Sequence, residues 1–459
     1  MSEATAPPDA PVEEGPHGGD IELERTLGFT QALAIGTGTM VGAGIFVFPG
    51  LAAGEAGPAA MLSFAIGAVI ALLVALPTSE LATAMPESGG GYYFVSRSLG
   101  TFAGCLVGLG QWLGLIFASA FYLMGFGHYL SDLLREVGVG GGLPVVGIAL
   151  GAAVLLTGVS ITGTENTGDL QNWIVGALLV ILAGFLGHGG LDVLGVFGRE
   201  RVPETFFPYG TMPVFTTAAL VFTSYLGFVQ IATVAGEIKN PGRNLPRSMI
   251  GSVLLVGGLY VLTIFIGTSL LGSEQLSELG ETAVVNVGRS LFGVFGAAAI
   301  LGGGLLATLS SANASILSAS RSIYALSRDA LVPREVQRLN ERYRTPHVAL
   351  LLAGGPIVGL ILYGRVEVLA EVASLLHLVM YGLICVALLV LRRADPPEYT
   401  PSFKCPGYPV VPVLGALASF GLVAFMNPLS IVLGGGVLAA AAGWYVYYAR
   451  TVSLSEVSS

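Results

Sequence analysis

Gly36-Thr-Gly-Thr-Met-Val-Gly-Ala-Gly-Ile-Phe46, continued by Val-Phe-Pro-Gly50, lies inside an apolar run at residues 28–50. Four glycines fall within nine of these residues. Each weakens a helix by about 1 kcal/mol relative to Ala. Two readings follow. Small residues let membrane helices pack closely. Alternatively the helix is broken, which a membrane tolerates only where the loose backbone is buried in protein or lines a wet cavity. A break would aim N–H groups and the positive end of its second half at an anion. Its free carbonyls would face a cation.

The surroundings of this run set the protein class. The 459 residues are 53% hydrophobic and only 11% charged, against about 25% charged in soluble domains. Mean hydropathy is +0.78. A membrane span needs about 20 mostly apolar residues. Apolar segments recur at about 28–50, 57–82, 100–131, 143–162, 170–188, 213–236, 246–271, 291–326, 346–363, 367–391, 408–425 and 428–448. The expected fold is therefore an all-α integral membrane protein with twelve transmembrane helices. With the N-terminus inside, 15 of the 20 Lys and Arg residues fall on inner connections and 5 on outer ones. Basic residues mark the cytoplasmic side, so both termini are expected there, in the plasma membrane.

Residues 1–25 hold seven acids and one base, without the basic and apolar regions of a signal peptide. They read as a disordered acidic tail, taken to residue 27, with Glu22-Leu-Glu-Arg25 as the start of a candidate short interfacial helix before the first span. Residues 28–391 form the expected transport core, 392–448 two further spans, and 449–459 a second cytoplasmic tail. Three cysteines cannot build a disulfide framework or a zinc cluster.

The sixth segment repeats the theme of the first. It reads Phe222-Thr-Ser-Tyr-Leu-Gly-Phe-Val-Gln-Ile231, with Gly227 at its centre. It lies five spans after the first interruption. Interrupted segments at matching positions of two halves point to a transporter binding site. The halves are about 28–188 and 213–391.

Five stretches in order carry a resemblance. They are Gly42-Ala-Gly-Ile-Phe46 with Pro49, Pro86-Glu-Ser-Gly-Gly-Gly-Tyr-Tyr93, Glu237-Ile-Lys-Asn-Pro-Gly-Arg-Asn-Leu-Pro246, Ser320-Arg-Ser-Ile-Tyr-Ala-Leu-Ser-Arg-Asp329 and Phe403-Lys-Cys-Pro-Gly-Tyr-Pro409. Together they resemble the amino acid–polyamine–organocation permeases. The resemblance implies a five-plus-five inverted-repeat fold with broken helices 1 and 6. It implies an amino acid backbone site at Met40 (carbonyl to ammonium) and at Ala43 and Gly44 (N–H to carboxylate). In the sixth span it implies an unwound Tyr225-Leu226-Gly227, with Thr223 at a gate-like position. Side-chain packing is the plainer reading of Thr223 and Tyr225.

The eighth segment carries Ala307-Thr-Leu-Ser-Ser311. Ser310 and Ser311 share a helical face with the Ala307 carbonyl. Two hydroxyls and carbonyl oxygens suit Na⁺, although membrane serines also bond their own i−4 carbonyl. Similarity to symporters of this fold adds the carbonyls of Gly38 and Val41. Some proton-coupled relatives place a Lys from span five there; this span has none, and the aligned position is about Leu178.

Other polar groups have structural readings. Glu80 and Glu237 lie near inner helix ends, as caps or partners of the Arg-rich loops. His377 and Glu371 sit in the tenth segment, where an ionisable residue is a functional candidate, and His377 is the candidate proton carrier. Tyr122 in the third segment is a candidate to reach the pocket, beside the plainer reading of an ordinary membrane tyrosine. No zinc-protease, P-loop or nucleophile-elbow motif is present.

The expectation is a secondary active transporter, not an enzyme, carrying a neutral amino acid with Na⁺ as the coupling ion. No cofactor and no nucleic-acid partner are expected; the partners are the solute and the bilayer. Alternatives keep the fold but use protons or exchange, or carry polyamines, organocations or inorganic ions. A channel, receptor or membrane enzyme fits less well, for want of a selectivity filter, an appended soluble domain, or buried acids, His and Cys.

Overall fold

The computed structural model describes residues 25–452 and 454, except 26, 86–88, 137, 139–143, 163–166, 197–204, 341, 344 and 398; at 167–172 only the backbone is described. The tail 1–24, with the candidate interfacial helix at Glu22-Leu-Glu, Pro86-Glu-Ser88 and the last five residues fall outside them.

The first apolar segment divides into α1 (Phe29–Met40) and α2 (Ala43–Ala56). α3 (Ala60–Ala84), α4 (Gly90–Glu136), α5 (Val145–Thr162) and α6 (Thr167–Val193) follow. The sixth segment comprises α7 (Met212–Val221), a 3-10 run over Phe222–Val229, and α8 (Gln230–Thr233). Then come α9 (Pro241–Leu271), the short α10 (Ser273–Leu279), α11 (Ala283–Arg328), α12 (His347–Tyr363), α13 (Val366–Ala394), α14 (Val410–Val423) and α15 (Pro428–Trp444). Each apolar segment of the sequence falls on helix. Among the described residues nine helical stretches are long and apolar enough to cross a membrane. α12 and α14 are apolar but shorter, at 17 and 14 residues. Helix is the form lipid demands of a single span, because each backbone group finds its partner within the segment.

α4 packs against both α11 and α13, and α9 packs against α1 and α3. Apolar side chains remain exposed, including Leu155 on α5, Trp173 and Val180 on α6, and Phe295 on α11. Such faces suit hydrocarbon.

Two long helices bend at glycines with left-handed backbone: Gly100 (φ 85°) in α4 and Gly293 (φ 62°) in α11. Each bend comes ten residues after its helix begins. A residue with a Cβ is strained there, so each helix starts as a separate arm.

At one end of the molecule the chain entering α1 meets the chain leaving the sixth segment. Leu27 N–H donates to the Glu237 carbonyl at 2.9 Å, and Lys239 N–H donates to the Leu27 carbonyl at 2.8 Å. This pair forms an isolated parallel bridge between Leu27 and Ile238.

A second tie joins the end of α3 to the chain around α13. Glu80 is fully buried and accepts from Arg392 Nε and Nη2, each at 2.6 Å. It also accepts from the Tyr399 hydroxyl at 2.9 Å and the Cys405 N–H at 2.6 Å. Arg392 lies over the Tyr408 ring, 4.5 Å from its centroid. The expected pairing of Glu80 with an arginine is thus realised. Burial and the neighbouring carboxylate push the Cys405 thiol up to about 12.

Candidate functional site: the interrupted helix and its hydroxyls

α1 ends at Met40 and α2 begins at Ala43. Between them Val41 has φ −73° and ψ 63°, and Gly42 N–H donates to the Met40 carbonyl at 2.7 Å. That is an inverse γ-turn centred on Val41. It resets the helical register, so the N–H groups of Ala43, Gly44 and Ile45 have no acceptor within α2. The glycines also permit close approach. A Cβ on Gly42 would strike Ser311, and one on Gly44 would strike Ser224 and the Tyr260 hydroxyl. Broken helix and tight packing, alternatives in the sequence, occur together.

The sixth segment departs from its expected form. Tyr225-Leu226-Gly227 does not unwind; it belongs to an eight-residue 3-10 run, far longer than the usual three or four residues. One glycine loosens this segment where four loosen the first. Tyr381 donates to the Leu226 carbonyl at 3.0 Å; the Thr39 hydroxyl, 2.8 Å from the Ile35 carbonyl of its own helix, lies 3.3 Å from the Gly227 carbonyl. Gly227 is required by contact, since a Cβ there would lie 2.8 Å from the Met40 backbone nitrogen.

Thr223 and Tyr225 take their packing roles. The Thr223 hydroxyl bonds the Ala370 carbonyl and lies 2.6 Å from the Ser374 hydroxyl, tying the sixth segment to α13. Tyr225 donates to the Phe64 carbonyl on α3 at 2.8 Å.

The structure brings Met40, Ala43, Gly44 and Ser311 to one buried seam, all at or beside the break. The Met40 carbonyl accepts the Tyr260 hydroxyl at 2.7 Å. Three buried hydroxyls along these helices, Thr37, Ser224 and Ser311, have no hydrogen-bond partner among the described residues. Tyr122 reaches the seam, its ring 3.8 Å from the Cβ position of Gly42. Sequence reasoning missed Tyr260, Ser224 and Thr37. Ser224 adjoins the residues singled out, but nothing around Tyr260 marks it.

For a hard cation the donor chemistry fits in part. Ser311 is 1% exposed, its oxygen is unpaired, and it packs on Gly42 next to Val41. Ala307 is buried one turn earlier on the same helix. Ser310 is half-buried and has a contact of its own. Leu178 packs against Gly303, one turn before Ala307.

The other ionisable candidates are held by helix contacts. His377 Nδ1 pairs with the Ala373 carbonyl at 2.8 Å, and its ring closes on Gly114 of α4. Glu371 accepts Asn427 N–H at 3.2 Å and so caps the start of α15.

An apolar all-helical chain with a buried polar seam at an interrupted helix defines a class: multi-pass membrane transport proteins. The comparisons name the family. Residues 27–449 match the amino acid permease family, and the chain belongs to it, as the ordered motifs indicate. The chain is 30% identical over 432 residues to a branched-chain amino acid permease of Bacillus subtilis, covering 90% of each chain. It is 27% identical to a serine/threonine exchanger of the same organism, over 94% of this chain and 98% of that one. A methylthioribose transporter, also of Bacillus subtilis, is 28% identical over 86% and 87%.

Proposed function

We propose that the protein is a secondary active permease for a neutral amino acid, working by alternating access and coupled to Na⁺. In this reading twelve spans cross the cell membrane with both termini in the cytoplasm, and spans one to five and six to ten form inverted repeats. The observation that carries the site is the γ-turn at Val41, which leaves donors at the head of α2 within reach of acceptors at the end of α1. A zwitterion needs both, and no charged side chain is required. The repeat is supported by paired irregularities: segments one and six are interrupted, and three and eight each begin with a glycine-bent arm. Relatives named for branched-chain amino acids and for serine and threonine support a neutral solute. The unpaired Ser311 hydroxyl at the break supports a bound cation. The buried Leu178 in span five, where a built-in Lys would stand, supports the same reading.

The test is uptake of labelled leucine and serine into proteoliposomes under imposed gradients. An inward Na⁺ gradient at fixed pH drives accumulation in this reading. Accumulation driven by protons alone, or only by a counter-solute inside, rejects the Na⁺ symport part. No uptake or exchange of any amino acid rejects the whole.

A further inference from the structure

Tyr260 stands on α9, 1% exposed. Its ring stacks on Phe64 with centroids 5.1 Å apart and meets Tyr225 edge-on at 5.5 Å. These contacts aim its hydroxyl at the gap between α1 and α2. There the hydroxyl donates to the Met40 carbonyl at 2.7 Å. The same oxygen lies 2.5 Å from the position a Cβ on Gly44 would take, beside the first turn of α2, whose N–H groups have no acceptor within that helix. A phenol hydroxyl both donates and accepts. One side-chain oxygen therefore lies next to both the acceptor end and the donor end of the break.

Ser224 lies beside it. Its side chain is 2% exposed and packs on Gly44, yet its hydroxyl has no aligned hydrogen bond. The hydroxyl adjoins that of Tyr260, whose oxygen can accept from it while donating to Met40. Displacing Tyr260 takes that neighbour from Ser224, and a buried hydroxyl is normally paired. A polar group arriving at Gly44 replaces it.

We infer that Tyr260 is an internal stand-in for the transported solute. In the closed arrangement its hydroxyl holds the Met40 carbonyl and covers Gly44. An α-ammonium and α-carboxylate entering the break displace it, and Ser224 gains its partner from the solute. The inference rests on the amino acid reading above and adds a selection step to it. Hydrogen bonds to an ionised group are roughly twice as strong as neutral ones. An ammonium therefore outcompetes the phenol at Met40, whereas a neutral hydroxyl or water exchanges like for like. The stand-in keeps the break dry and filters for a cationic nitrogen.

The experiment measures L-leucine and L-serine binding to purified wild type, Tyr260→Phe and Ser224→Ala in lipid nanodiscs, with thermal unfolding alongside. Phenylalanine keeps the ring contacts and loses only the competing hydroxyl. Tyr260→Phe is expected to bind about two- to tenfold more tightly, the equivalent of one neutral hydrogen bond. Ser224→Ala is expected to bind several-fold more weakly, with no loss of thermal stability without amino acid. Neighbouring substitutions thus act in opposite directions. Equal or weaker binding by Tyr260→Phe overturns the inference and makes Tyr260 a permanent wall of the site. If that variant does not fold, Ser224→Ala decides: lower stability with unchanged binding overturns the inference. Wild type that binds none of the twenty amino acids overturns the amino acid reading itself, a result distinct from either.

Discussion

At the scale of single residues, the site depends on two glycines with no room to spare. A methyl on Gly44 meets the Tyr260 hydroxyl at 2.5 Å and Ser224 Cβ at 2.8 Å. A methyl on Gly227 meets Thr39 and the Met40 backbone nitrogen. None of these turns aside freely: a Cβ moves only with its backbone, and the Tyr260 ring is held by Phe64 and Tyr225. Gly44→Ala and Gly227→Ala are each expected to lose about 1–3 kcal/mol, the usual range for overpacking, and Gly44→Ala to lose amino acid binding as well. Thermal unfolding checks both, and a variant as stable as wild type contradicts the packing at its site. The serines of α11 carry the second prediction. Ser310→Ala with Ser311→Ala should abolish the Na⁺ dependence of binding and leave residual amino acid affinity. Coupling between such sites typically amounts to about 5- to 150-fold in affinity. Titration of leucine in Na⁺ and in choline reads it directly, and equal wild-type affinity in the two salts removes the ion from the site.

At the scale of elements, Glu80 is a junction. It is fully buried and joins α3, α13 and the chain from Tyr399 to Cys405. Removing one partner of a buried ion pair costs about 3–5 kcal/mol, because the other charge is stranded. Arg392→Ala should therefore release the segment before α14. Cys405 reports the release. Its raised pKa and burial keep it a protected thiol in the intact protein. With Cys105 and Cys385 replaced by Ala, Cys405 should resist maleimide in wild type and react in Arg392→Ala; equal protection in both contradicts the junction.

Element boundaries were legible in the sequence because hydropathy fixes where a helix must lie. The starts of the third and eighth segments, placed at 100 and 291, fall at the bends of Gly100 and Gly293. The arms before those bends were not legible, since one glycine among 66 does not announce a left-handed φ. The first interruption was visible in its density of glycines. The 3-10 run was not, because the bond to its Leu226 carbonyl comes from another helix, through the Tyr381 hydroxyl. Tyr260 and Ser224 were missed for the same reason: their roles follow from how α9 and the sixth segment dock on the break.

At the scale of the whole molecule, the basic residues predict sidedness. Single cysteines placed between Arg328 and Arg342 should label from the cytoplasm, and a cysteine at Arg365 from outside. Labelling of the first loop from outside contradicts the proposed orientation. The bridge between Leu27 and Ile238 has a consequence for how such a molecule moves. Its two backbone hydrogen bonds lash the foot of the first segment to the foot of the sixth. In the transport cycle proposed above, the feet of these two helices are expected to travel together, since an opening between them would break both hydrogen bonds.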